Sequence, residues 1–150
     1  MWDDYLEEST NVVKSNIKRN KMITILSYLL IWAIAMIAFW FFKDDSSAMG
    51  YSLLYLWVIL PVTTFFVSVI IGINDFWEIK KWAFTVFFGI MYMLAEYGTF
   101  KMANNIAFNK LNAPDWGMIA GGTIISATGM LIGFLFHLIG GAENKKRRSV

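Results

Sequence analysis

Four apolar blocks, each about twenty residues long and almost free of charge, restrict the fold of this chain more than any other feature. They lie at residues 22–42, 50–73, 82–100 and 116–140. A helix needs about 20 apolar residues to cross a bilayer, so each block is long enough to span a membrane. The sequence therefore predicts a single-domain, all-α integral membrane protein with four transmembrane helices in an antiparallel bundle.

Composition agrees with a lipid environment. Of the 150 residues, 57% are hydrophobic and 16% are charged, whereas soluble domains contain about half apolar and about a quarter charged residues. The chain has no cysteine, which excludes disulfides, thiolate metal sites and cysteine nucleophiles. The net charge of +2 arises from lysines and arginines beside the blocks, so we expect no nucleic-acid partner.

Basic residues are distributed unequally between the two sides of the predicted membrane. One side holds Lys14, Lys18, Arg19, Lys21, Lys80, Lys81, Lys145, Lys146, Arg147 and Arg148. The other side holds only Lys43, Lys101 and Lys110. Because cytoplasmic loops carry the excess of Lys and Arg, we expect a multi-pass protein of the cell membrane with both termini in the cytoplasm. Aromatic residues that favour membrane interfaces agree with this orientation: Trp40, Tyr51, Tyr97 and Trp116 outside, Trp77 and Trp82 inside.

The cytoplasmic segment 1–21 has the pattern of an amphipathic helix, with Trp2, Leu6, Val13 and Ile17 at helical spacing. It is either an interfacial or partner-binding helix, or an extension of the first membrane helix. The basic tail, residues 141–150, either anchors the topology or binds anionic lipid headgroups. Membrane lipids are therefore among the expected partners.

Small residues follow one face of the fourth block. Gly122, Ser126, Gly129 and Gly133 recur at steps of 4, 3 and 4, and His137 and Gly140 continue the series. Small residues let helix backbones approach closely in lipid, which predicts a helix-packing interface at the first four positions. The pattern does not distinguish packing within one bundle from contact with a second copy or another membrane protein.

Glu96 is the most unusual residue of the third block. It is in line with Thr85, Gly89, Tyr92 and Thr99, while the other faces are apolar. It lies roughly 21 Å into a hydrocarbon core roughly 30 Å thick, so we expect it to be protonated, paired or facing a polar cavity. It is either a proton or cation site, a structural hydrogen-bonding group, or a group that reaches interfacial water through Tyr97 and Lys101. No second membrane carboxylate is available for a relay.

The second block carries Pro61, followed by Thr64, Ser68 and Gly72 on nearly one face. Proline frees a backbone carbonyl, which Thr64, nearby hydroxyls or water can satisfy. Since interrupted helices often line substrate sites, Thr64 and Ser68 join Glu96, Tyr92, Thr85 and Thr99 as the predicted substrate or ion site. A structural kink is the alternative.

No catalytic or metal-binding arrangement is visible in the sequence. His137 is the only histidine, and a single histidine without cysteines or clustered carboxylates does not form a transition-metal site. Ser126 shares its face but is roughly 16 Å away along the helix axis, too far for proton transfer. We therefore expect no enzyme activity, no metal and no cofactor.

Two functions follow from these features. One is a small transporter or channel, working as an oligomer, with Glu96 as an intramembrane polar site. The other is a non-transporting accessory or regulatory subunit that binds a membrane partner through the glycine-rich fourth helix and the N-terminal helix. Pro61 with Glu96 favours the first, and the absence of a second intramembrane ionisable group or an inverted repeat favours the second.

Overall fold

The computed structural model describes residues 2–42, 50 and 53–147, and within them all regular structure is helical. The α-helices are α1 (Trp2–Phe42), α2 (Leu60–Ile73), α3 (Ala83–Glu96), α4 (Met102–Phe108) and α5 (Trp116–Arg147). A π-helical turn, Tyr55–Ile59, leads into α2, and a second one, Tyr97–Lys101, joins α3 to α4. A 3₁₀-helix, Asp75–Trp82, connects α2 to α3.

Four continuous helical stretches in the described part of the chain are long and apolar enough to cross a membrane. They are Thr10–Phe41, Tyr55–Ile73, Ile79–Phe108 and Trp116–Gly141. This confirms the predicted all-α class with four membrane-length helices. The predictions of orientation and amphipathicity also used side chains that the structure does not describe, namely those of Trp2, Leu6, Lys43, Tyr51 and residues 145–148.

The N-terminal segment and the first span form one helix. Neither glycine nor proline occurs between Trp2 and Phe42, so nothing in the sequence interrupts the 41-residue α1. Side chains from Thr10 to Asn16 are exposed, including Val12 and Val13. The helix thus continues from the N-terminal segment into the first span without a break.

Local hydrogen bonds define where the other spans begin and end. Asn74, in an extended conformation, ends α2, and its backbone and side-chain amides both donate to the Ile70 carbonyl. Asn109, in the left-handed conformation, ends α4, so the third span continues past the predicted residue 100. The Asp115 carboxylate accepts a hydrogen bond from the Gly117 amide at 2.8 Å, which satisfies a free donor at the start of α5.

Helix α5 packs along both α2 and α3, and α1 packs against the same two helices. The indole nitrogens of Trp32 and Trp40 on α1 each donate to a carbonyl in the third span, Met91 and Gly98, both at 3.1 Å. The backbone of the third span is thus held by α1 on one side and by α5 on another.

Large apolar side chains are exposed along the spans, and several polar side chains are buried beside an apolar core. Exposed apolar residues recur one turn apart along α2 and α3: Val62, Phe66, Ile70, Val86, Ile90 and Leu94. Buried polar residues come from α2, α5 and the third span: Thr64, Ser68, Lys81, Thr85, Glu96, Thr99 and Ser126. This distribution suits helices surrounded by lipid, because buried polar groups need partners that acyl chains do not provide.

Candidate functional site in the bundle interior

The small residues of α5 pack within the chain. A methyl group added at Gly122 would lie 2.7 Å from the Tyr92 Cβ, and one at Gly129 would lie 2.6 Å from the Phe65 carbonyl oxygen. Gly133 faces Gly72 on α2. A Cβ built on either of these glycines would lie 3.0 Å from the Cα of the other. These contacts answer the question that the sequence left open for this stripe, because its glycines allow α5 to approach α2 and α3 of the same chain.

Ser126 completes this interface with a hydrogen bond. Its hydroxyl is 2.8 Å from the Ser68 hydroxyl on α2, and both side chains are fully buried. The end of the stripe does not take part, since His137 and Gly140 are exposed and Gly140 has open space around its Cβ position. Within the stripe, the close contacts therefore run from Gly122 to Gly133.

Proline shapes the start of the second span through the hydrogen bonds that it prevents. In the π-helical turn, the Leu60 amide donates to the Tyr55 carbonyl, five residues back. The same pattern would pair the Leu56 carbonyl with residue 61, but Pro61 has no N–H. The Tyr92 hydroxyl of α3 donates to the Leu56 carbonyl instead. The carbonyl that proline frees is thus satisfied by another helix, and not by Thr64.

A second pair of hydroxyls lies in the middle of the bundle. Tyr28 on α1 and Thr64 on α2 are fully buried. The Tyr28 hydroxyl interacts with the Thr64 hydroxyl and is within electrostatic range of Tyr92. The geometry is not that of a formed hydrogen bond, and neither oxygen has another bonded partner among the described residues.

The predicted polar face of the third span is buried throughout. Thr85 is 7% exposed, Tyr92 7%, Glu96 4% and Thr99 0%, so this face points into the bundle. Two of its hydroxyls bond locally: Thr85 donates to the Trp82 carbonyl at 2.7 Å, and Thr99 donates to the Ala95 carbonyl at 2.6 Å. The hydroxyls of these two threonines therefore bond to backbone carbonyls of their own span, and neither is a partner of the Glu96 carboxyl.

Glu96 lies immediately before the π-helical turn that ends at Lys101. A π-helical turn holds more residues than an α-helical turn, so it brings positions five apart closer to one face. The Lys101 Nζ is 3.9 Å from the Glu96 Oε1 and donates to the Ala113 carbonyl at 2.8 Å. The Glu96 Oε2 is buried and has no hydrogen-bond partner among the described residues. The carboxyl thus has one side facing a cation and one unbonded side.

The six predicted site residues are all buried, but they do not surround one point. Glu96 lies near one end of the bundle, Tyr92 and Thr64 lie further in, and Ser68 follows one turn beyond Thr64. Thr85 and Thr99 bond to their own helix. The residues form a line of polar groups through the interior, and not a cage of ligands around an ion.

Sequence reasoning missed two important members of this line. Tyr28 lies in an apolar block where an aromatic residue gives no sign of a buried hydroxyl. Lys101 was expected to reach Glu96 only through interfacial water, and its direct approach to the carboxyl depends on the π-helical turn, which was not predicted. Its second partner, Ala113, depends on the loop that leads into α5.

Comparisons of the chain with known protein families, sequences and structures found no match. The chemistry of the interior is therefore the basis for a functional proposal.

Proposed function

We propose that the protein is a multi-pass protein of the cell membrane, with its spans in an antiparallel bundle and both termini in the cytoplasm. The excess of Lys and Arg at the termini and in the connection between α2 and α3 supports this orientation. Short connections between successive spans support antiparallel packing. The 3₁₀-helix Asp75–Trp82 then lies on the cytoplasmic side, and the loop between α4 and α5 lies outside.

Single cysteines test this orientation directly, since the natural chain contains none. Lys110→Cys and Ser15→Cys place a thiol at an exposed position on either side. An impermeant thiol reagent applied to intact cells should label Lys110→Cys and should label Ser15→Cys only after the cells are permeabilised. The opposite labelling pattern would overturn the orientation.

We further infer that the protein moves protons or small cations and that Glu96 is the site at which they bind. The observation that carries this proposal is the buried Glu96 carboxyl, of which Oε2 has no partner among the described residues. An unsatisfied acid inside a membrane has a free-energy cost, so such residues mostly mark ion or proton routes. No catalytic step is part of the proposal.

Hydroxyl groups continue from Glu96 through the bundle and support a route across it. Tyr92 lies one helical turn before Glu96, Tyr28 lies within electrostatic range of Tyr92, and Thr64 interacts with Tyr28. The Ser68 hydroxyl, one turn beyond Thr64, is hydrogen-bonded to Ser126. Hydroxyls both donate and accept, so a series of them can pass a proton by reorientation.

The close contact of α5 with α2 and α3 is the reason for proposing an oligomer. At Gly129 and Gly133 the backbones of α5 and α2 approach so closely that a methyl group would overlap the facing carbonyl. A hydrated path between these helices would require them to separate. A second copy of the chain offers water a path to the ends of the hydroxyl series that leaves this interface intact, so we propose that the working unit contains more than one copy.

Flux through reconstituted vesicles tests the transport proposal. Glu96→Gln removes the ionisable group while keeping the size and much of the hydrogen bonding of the side chain. We expect it to abolish proton flux, measured with a pH-sensitive dye under an imposed potential, and to leave the helical content unchanged. Glu7→Gln makes the same chemical change at an exposed position and should retain wild-type flux. Equal flux in wild type and Glu96→Gln would contradict the role of this residue.

A non-transporting accessory role is the second candidate, and α1 is the observation in its favour. The part of α1 before Met22 corresponds to a helix roughly 30 Å long, and Val12 and Val13 are exposed on it. The glycine stripe packs within the chain, so this candidate assigns the partner contact to the extension. On this proposal, a photoreactive residue at Val13 crosslinks to another membrane protein in cells, and purified protein moves no ion with either Glu or Gln at position 96.

A further inference from the structure

We propose that the end of the bundle opposite Glu96 binds the headgroup of an anionic phospholipid, and that Lys18 and Lys21 of α1 hold its phosphate beside the 3₁₀-helix. This site is separate from the polar groups of the interior, and its test does not require transport. The sequence suggested headgroup binding only for the basic tail, residues 141–150.

One face of α1 carries three lysines just before the apolar block. Lys14, Lys18 and Lys21 follow one another at steps of 4 and 3 residues, so they share a face of the helix. The same helical spacing continues to Tyr28 and Phe39, which are buried in the bundle. The three lysines therefore lie on the face that α1 turns toward the other helices.

The position of these lysines along α1 places two of them at the depth of the lipid headgroups. The apolar block begins at Met22, so at 1.5 Å per residue Lys21 lies about 1.5 Å and Lys18 about 6 Å outside the hydrocarbon core. The headgroup layer on each side of that core is roughly 5–8 Å thick. Because α1 is one continuous helix, no turn carries either lysine away from this layer.

The 3₁₀-helix Asp75–Trp82 meets the lysine face at Lys21. The Lys21 Nζ is 5.4 Å from the centre of the Trp77 ring, and that ring packs at 5.0 Å against Phe84 at the start of α3. A cation is attracted to the face of an aromatic ring, so the Lys21 ammonium is held where α1 meets the 3₁₀-helix. Lys80 is exposed on the same 3₁₀-helix and adds a further cation at this end of the bundle.

The charge of this end of the bundle suits an anion. In residues 14–21 and the 3₁₀-helix together, basic residues outnumber acidic ones by six to two. The acidic residues of α1 lie earlier in the helix, and Glu7 is about 17 Å further from the core than Lys18. The headgroup layer therefore meets the basic part of α1, where each lysine near an anionic lipid favours binding.

Apolar side chains at the same end favour a lipid over a free phosphate ion. Ile79 and Trp82 are exposed on the 3₁₀-helix that carries Lys80, and Val86 is exposed one turn further into α3. An acyl chain can cover this apolar surface while its phosphate meets the lysines. A zwitterionic choline lipid would bring a second cation to the ammonium groups, so the site fits a phospholipid with a net negative charge.

Native mass spectrometry of the purified full-length protein in a neutral detergent tests this site. Phosphatidylglycerol and phosphatidylcholine are added in equal amounts, and the fraction of protein that retains each lipid is measured. We expect wild type to prefer phosphatidylglycerol. Lys18→Gln should weaken this binding about fivefold, which is the contribution of one lysine near an anionic lipid. Lys21→Arg keeps the charge and should bind as wild type.

Arg19→Gln is the matched control on the same helix. It removes the same charge at nearly the same depth, but residue 19 points about 100° away from residue 18 around the helix axis. Both side chains are exposed, so neither change removes a packing contact of the core. Arg19→Gln should therefore retain the wild-type preference for phosphatidylglycerol.

Equal losses in Lys18→Gln and Arg19→Gln would show attraction by overall charge and would overturn the site. An unchanged preference in Lys18→Gln would place the lipid elsewhere, as at the basic tail, and wild type without any preference would also refute the proposal. Thermal unfolding in the same detergent separates the lipid from free phosphate. Phosphatidylglycerol should raise the Tm of wild type, and sodium phosphate should act only as NaCl of equal ionic strength does. A phosphate effect as large as that of the lipid would overturn the assignment to a phospholipid.

Discussion

Replacement of Gly133 by alanine should separate α5 from α2. The added methyl group would overlap the Val69 carbonyl oxygen, and it would lie 2.9 Å from the Ile73 nitrogen and 3.0 Å from the Gly72 Cα. These neighbours are backbone atoms, so no side-chain rotation can remove the overlap. One helix must therefore move away from the other, and the contacts on either side of Gly133 weaken.

Gly121 provides the matched control on the same helix, because nothing lies within 4 Å of a Cβ built at that position. Alanine is favoured over glycine in a helix by about 1 kcal/mol, so Gly121→Ala should leave stability unchanged or raise it. Overpacking of a tight interface costs about 1–3 kcal/mol. Both variants share the propensity gain, so we expect their free energies of unfolding to differ by about 1–3 kcal/mol, with Gly133→Ala less stable.

Equilibrium unfolding in mixed micelles of increasing dodecyl sulfate content measures this difference. Tryptophan fluorescence is a suitable signal, since the indoles of Trp32 and Trp40 are hydrogen-bonded to the third span. Unfolding midpoints that coincide for Gly121→Ala and Gly133→Ala would refute the close backbone contact. The same refutation would follow if Gly133→Ala were more stable than the natural protein.

Two further predictions concern hydrogen bonds between helices. Tyr92→Phe leaves the buried Leu56 carbonyl without its donor. This change should lower the free energy of unfolding by about 1–3 kcal/mol. Tyr97→Phe removes a hydroxyl from the residue next to Glu96 in the sequence and should change the free energy of unfolding little. Ser68→Ala and Ser126→Ala should show a coupling of about 0.6 kcal/mol in a double-mutant cycle, and strictly additive effects would contradict the bond between them.

Much of the architecture can be predicted from the sequence because the bilayer acts on each segment separately. The four apolar blocks correspond to the four membrane-length helices of the structure. Helical periodicity also identifies the face of the third span that carries Thr85, Tyr92 and Glu96, and these residues are buried. Such features depend only on the side chains of one segment and on hydrogen bonds within it.

Helix ends and turns were predicted less completely. Helix α5 begins at Trp116, as the fourth block predicted, but the hydrogen bonds before it, from Gly117 to Asp115 and from Asn112 to Asn105, were not predicted. The π-helical turn after Glu96 is also absent from the sequence prediction. Its extra residue changes which side chains share a face, so the proximity of Lys101 to Glu96 could not be anticipated from α-helical spacing.

The partners of the buried polar groups were decided by tertiary structure alone. Ser68 meets Ser126 across 58 residues of sequence, and Tyr92 meets the Leu56 carbonyl across 36. A stripe of small residues has the same spacing whether it faces a helix of its own chain or another protein, so the sequence left both open. Only the placement of α5 against α2 and α3 distinguishes them, because backbone contact depends on where distant helices lie and not on the periodicity of either one.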